Sequence, residues 1–167
     1  MTIEEIYKSA DNIILTHLMI NDEAMKYTQS IGYNGFKRMH RCMVKKMLKK
    51  HLCLANCYFD RYNKILNSRV DVPSYSPMSL KAHFERWKEL LERHIQELGE
   101  LNQEHFDLVG CSNEIIECVI YKFARKLEKV NRWITRFNES NWNPIDIHAV
   151  DDYIHAKYKK KEEEEGE

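Results

Sequence analysis

From its first residues the chain sets apolar side chains at alternating spacings of four and three: Ile6, Ala10, Ile13, His17, Ile20, Ala24 and Tyr27. That period puts them on one face of an amphipathic helix of about seven turns, predicted over residues 3–30. Gly32 and the Asn34-Gly35 pair are expected to stop it. The pattern resumes with Phe36, His40, Met43, Met47, His51 and Leu54, which predicts a second helix over residues 35–66. SRVDVPSYSPMS, with two prolines, breaks the period, and Ser76 or Ser79 is placed to cap the next helix. Phe84, Trp87, Leu91, His94, Leu98 and Leu101 predict a third helix over residues 79–107, ended by Gly110. Ser112-Asn113-Glu114 opens a fourth, whose stripe is Ile116, Val119, Phe123, Leu127, Val130 and Ile134.

Four long helices of similar length predict an all-α fold, a four-helix bundle over residues 1–142. Asn143 and Pro144 read as the cap and first-turn proline of a short C-terminal fifth helix, residues 143–158, packed on the bundle or at an oligomer interface. Residues 159–167 are a charge block, expected to be a solvated tail.

Composition narrows the function classes. At 167 residues and 43% hydrophobic content the chain can bury a core as one domain. Basic and acidic residues number 26 each, so the footprint of a dedicated nucleic-acid binder is absent, although Lys37, Arg38, Arg41, Lys45, Lys46 and Lys49 make one face of the second helix basic. The cysteines are five, an odd number, and the N-terminus lacks a basic segment followed by an apolar one; a cytoplasmic chain with free thiols is expected. No apolar run approaches the roughly 18 residues of a membrane span. Gly-rich phosphate loops, nucleophile elbows and His-Glu-x-x-His patterns are missing.

The candidate chemistry lies inside the bundle. The expected helix midpoints bring His17, His51 and His94 to one height, each on the inward stripe of a different helix. Three imidazoles suit zinc or iron and leave a position open for water or substrate. The alternative is three ordinary histidines, neutral and bonded within a buried polar network. Glu23, Glu85, Glu89, Glu92, Glu97, Glu114, Glu117 and Glu128 all fall off the apolar stripes, so the inward carboxylates that a pair of hard cations needs are lacking. Cys53 and Cys57, four apart, read as a zinc pair or as half-buried structural residues.

Three short stretches, in order, carry a resemblance: Gly35-Phe36-Lys37-Arg38, Glu114-Ile115-Ile116-Glu117, and AVDDYIHAKY at residues 149–158. With the layout of four long helices, a Pro-containing crossover and a short fifth helix, the chain resembles the ferritin-like superfamily, and ferritin in particular. A weaker similarity, Phe36 to His40, links it to the DNA-protecting cages of that superfamily. The resemblance implies a homo-oligomer or cage that binds or stores iron. Its iron-binding positions would fall at Met47 or Leu48, at Lys50 or His51, and near Phe123 and Ala124, so the di-iron motif it implies is not intact. Glu114 and Glu117 match the acidic residues that line an ion entry channel in ferritins. The reading is therefore a ferritin-like, oligomeric metal-binding or iron-storage protein, with iron or zinc as the ion and no intact ferroxidase centre. The alternatives are a structural or interaction protein on the same bundle, or a mononuclear metal enzyme using His17, His51 and His94.

Overall fold

The computed structural model describes residues 1–70, 77, 79–104 and 111–165. Among the described residues five helices make up the fold: α1 (Ile3–Ser30), α2 (Asn34–Tyr62), α3 (Leu80–Glu104), α4 (Cys111–Glu139) and α5 (Pro144–Glu165). Local chemistry sets most of their ends. Thr2 and Glu5 form a capping box at the start of α1, Ser79 Oγ accepts from the Ala82 N–H, and Asn143 Oδ1 accepts from the Ile145 N–H ahead of α5. Gly32 turns the chain out of α1 at a φ of 86°.

Side-chain pairs give the directions. Asn21 meets His40 and Asp11 meets His51, so α1 and α2 are antiparallel. His17 meets His94 while Tyr27 meets His83, so α3 also opposes α1 and therefore runs parallel to α2. Phe84 packs on Phe137 and His94 on Phe123, which makes α4 antiparallel to α3. Two consecutive parallel helices require their connection to travel the length of the bundle. The 17 residues between Tyr62 and Leu80 reach at most about 60 Å when extended, enough to cover α2's roughly 44 Å.

The predicted stripes face the core: every residue assigned to the α3 stripe is buried, and so are all those of α2 except the half-buried His51. Aromatic packing of Phe36, Phe84, Trp133, Phe137 and Trp142 closes the end where α4 turns into α5.

Several expectations change. Asn34 and Gly35 open α2 rather than stopping α1, and α2 ends at Tyr62, four residues early, with Asn63 in the left-handed region at a φ of 54°. Residues 105–110, including the expected stop at Gly110, and Ser76 lie outside the described residues. The fifth helix is not short and residues 159–165 are not a solvated coil; α5 continues to Glu165 because Glu162 pairs with Arg38 at 3.1 Å and Arg41 at 2.8 Å on α2. Cys57 is disulfide-bonded, which corrects the expectation of free thiols throughout; Cys42, Cys53 and Cys118 are free. Among the described residues no helix is long and apolar enough to cross a membrane.

Candidate functional site

Among the described residues four histidines are fully or almost fully buried in the bundle core, His17 from α1 and His94 from α3 near its middle, His40 from α2 and His83 from α3 toward one end. They form two pairs. His17 Nδ1 stands 3.1 Å from His94 Nδ1, and His40 Nε2 stands 3.0 Å from His83 Nε2. Asn21, one turn beyond His17, links the pairs: its Nδ2 donates to the His17 carbonyl oxygen and its Oδ1 accepts from His40 Nδ1, both at 2.8 Å.

The amide orients the whole network. Because Asn21 Oδ1 can only accept, His40 carries its hydrogen on Nδ1; its Nε2 is then a lone pair, and His83 Nε2–H donates to it. His17 Nε2 is buried without a partner. An orphaned acceptor is tolerated better than an orphaned N–H, so His17 keeps its hydrogen on Nδ1 and donates to His94 Nδ1.

Neutral rings are required for this arrangement, and burial keeps them so. Burial first, and then the neighbouring His94, hold His17 well below the ordinary imidazole range. Burial and His83 do the same to His40. Burial takes His83 to about 3, and burial with Arg93 takes His94 to about 4. Phe123 of α4 covers the first pair, its ring centroid 4.2 Å from His17 and 6.3 Å from His94, and Trp87 lies 4.6 Å from His40.

Of the five residues singled out in the sequence, the structure brings His17 and His94 together. His51 does not join them: its Nδ1 donates to Asp11 Oδ1 at 2.6 Å, while Asp11 Oδ2 is buried and unpartnered. Asp11 and His17 are six residues apart on α1, about 9 Å along the axis. Glu114 and Glu117 are exposed on the first turns of α4, and Glu117 lies about 9 Å along the helix from Phe123. No group of three or more His, Cys, Asp or Glu among the described residues could hold a metal ion.

Sequence reasoning missed His83, Asn21 and Asp11, and left His40 as a core residue. A signal for the histidines was present. His40 and His51 are eleven residues apart, as are His83 and His94, and eleven residues bring a helix back to within about 20° of one face.

The five-helix arrangement with an end-to-end crossover is that of solved ferritins. An open-pore ferritin from the hyperthermophilic archaeon Archaeoglobus fulgidus superposes with a TM-score of 0.78 at 14% identity, covering 90% of this chain and 93% of that one. An engineered closed form of the Archaeoglobus fulgidus ferritin gives 0.79 at 14% identity over 93% and 96% of the two chains. A humanized archaeal ferritin gives 0.74, also at 14%, over 93% and 98%. This chain has the ferritin-like fold. No protein-family model matches its sequence, and no curated protein is similar to it in sequence. Within a ferritin-like bundle, the His17–His94 pair occupies the level of the core where α1, α3 and Phe123 of α4 meet.

Proposed function

We propose that this chain is a ferritin-like subunit that assembles with copies of itself and does not oxidise iron at its bundle centre, the histidine network serving there to hold α1, α2 and α3 in register. The observation that carries the reading is the direct His17–His94 contact at 3.1 Å under Phe123, which fills the core with neutral imidazole and aromatic carbon. Two bridged irons need several inward carboxylates. Among the described residues the buried ones are Asp11 and Asp151. Asp11 is bonded to His51 and Asp151 to the Phe36 N–H, positions fifteen residues apart on α2, or about 22 Å. This donor set does not fit a di-iron centre. Each imidazole of the network has a partner on another helix, and misregistered helices would leave these rings unpaired.

Self-association is supported by the outer face of α2. Leu48, Leu52 and Phe59 are 48%, 52% and 48% exposed, and their spacings of four and seven place them in one stripe. The test is twofold: light scattering behind a sizing column for mass, and Fe(II) added anaerobically, then exposed to air, for oxidation. A discrete multimer that oxidises Fe(II) no faster than buffer is expected. A protein-dependent burst of oxidation overturns the reading.

A second reading rests on the partnerless Nε2 of His17. A borderline ion such as zinc would use that lone pair with its remaining donors from outside the chain, because His94 faces the other ring nitrogen of His17. Metal content of protein purified without a histidine tag decides: one ion per chain, lost in His17→Ala, supports it, and metal-free protein rules it out.

A further inference from the structure

α5 lies over the groove between α2 and α4, and a pocket of about 310 Å³ opens there. Its wall gathers positive charge from three helices: Lys46 of α2, then Lys122, Arg125, Lys126 and Lys129 of α4, with Lys157 and Lys161 of α5. Among the described residues no acidic side chain lines it. A generally basic chain would explain such crowding, but here the acidic and basic residues balance at 26 each. Several cations outside the pocket are matched, Arg38 and Arg41 to Glu162, Lys26 to Asp22, Arg136 to Asp146. Among the described residues none of the seven pocket cations pairs with a carboxylate.

Lys126 is the deepest of them, only 8% exposed, and its Nζ donates to the Tyr158 hydroxyl at 3.1 Å. Burial, followed by the charges of Lys129 and Lys46, brings its ammonium down to about 7, and burial with Lys157 brings Lys129 to about 8. Tyr158, pushed up to about 12 by burial, keeps its proton, so its hydroxyl accepts from Lys126 and still has an O–H to donate. Unmatched cations facing one another in a partly enclosed cleft repel, and a bound anion relieves that repulsion.

We propose that this pocket binds a short phosphate chain of the triphosphate class. Three linked phosphates distribute several negative charges over a length that brings oxygens to Lys126 inside and to Lys129, Lys157 and Arg125 around it, which one phosphate or sulfate cannot do. The volume is at the small end of ligand pockets and suits a compact, highly charged group. A neighbouring pocket of about 200 Å³ shares Lys129, Lys157 and Tyr158 and adds Trp133 and Tyr153, aromatic faces on which a nucleobase could stack. Free oligophosphate and nucleoside triphosphate share the same phosphate chemistry, and the experiment separates them. The proposal is independent of the reading of the bundle centre.

Isothermal titration of the full chain with sodium tripolyphosphate, ATP and sulfate at matched ionic strength tests it. Tripolyphosphate is expected to bind with a Kd on the order of micromolar, at least about tenfold tighter than sulfate. Lys129 and Lys157 reach solvent, so the double variant Lys129→Gln, Lys157→Gln folds and weakens binding about tenfold or more. Lys81→Gln with Lys88→Gln on α3, outside the pocket, leaves it unchanged. ATP tighter than tripolyphosphate assigns a nucleoside to Trp133 and Tyr153; ATP equal or weaker assigns the phosphate chain alone. The proposal is overturned by absence of saturable tripolyphosphate binding up to millimolar concentration, by an equal loss in the α3 variant, or by binding confined to single-stranded oligonucleotides.

Discussion

Asp151 of α5 accepts the backbone N–H of Phe36 at 2.8 Å, and its carbonyl oxygen occupies the space that a side chain at Gly35 would need. The residue preceding α2, Tyr33, makes no side-chain cap. A carboxylate 115 positions away therefore caps the positive end of α2. Gly35→Ala is expected to force α5 off the start of α2 and cost about 1–3 kcal/mol. Asp151→Ala should cost about 1 kcal/mol through the lost cap. Hydrogen exchange resolved along the chain checks both, since protection should fall in α5 first. An α5 as protected as in the parent protein would contradict the assignment.

Acid should unfold this protein early. His17, His40, His83 and His94 are all held below the ordinary imidazole value in the folded chain. The unfolded chain therefore takes up protons near pH 6.5 while the folded chain does not, and stability falls as pH drops from about 6.5 toward 4. Each histidine contributes a slope of about 1.4 kcal/mol per pH unit in that window, and together they exceed the roughly 5–15 kcal/mol of a domain within two or three units. Helicity followed by circular dichroism should be lost cooperatively around pH 5. Unchanged helicity down to pH 3.5 would show that the rings are not held neutral.

Lys126 gives a pH dependence in the alkaline range. Its folded value of about 7 lies below the 10.5 of a free lysine, so the folded chain binds fewer protons between those limits and stability rises with pH there. Between pH 7 and 9 the gain should be about 2 kcal/mol. Lys126→Met, which keeps the volume and removes the buried charge, should raise stability at pH 7 and flatten that rise. Urea unfolding at the two pH values measures both effects, and a variant that keeps the parent's rise would place its origin elsewhere.

The stripe of Leu48, Leu52 and Phe59 supplies a test of assembly. Leu48→Lys with Leu52→Lys puts two charges into an exposed apolar face that contributes nothing to the monomer core. A smaller mass by light scattering is expected, with the melting of the isolated chain changed by less than about 0.5 kcal/mol in stability. Retention of the parent mass would move the interface away from α2.

How much of this was legible before folding differs by kind of information. The four long helices and their inward faces come from the 3.6-residue period alone, because a helix's azimuth is a local property of spacing. The equal heights of His17 and His94 were readable for the same reason, with rise per residue added. His51 was expected at that height and instead meets Asp11, about 9 Å along α1 from His17: the antiparallel register that pairs Asn21 with His40 and Asp11 with His51 is a relation between two helices, which the period of neither contains.

By itself, then, the sequence determined the all-α class, the helices, most of the buried stripes and the absence of acidic residues from the drawn stripes. Only the tertiary structure decided the direct pairing of His40 with His83 and the bond of His40 to Asn21, the cap that Asp151 places on α2, the extension of α5 to reach Arg38 and Arg41, and the gathering of seven cations at one pocket. Each joins residues from separate helices. Their meeting depends on crossing angles and on which helices are neighbours, quantities that periodicity within one helix does not contain.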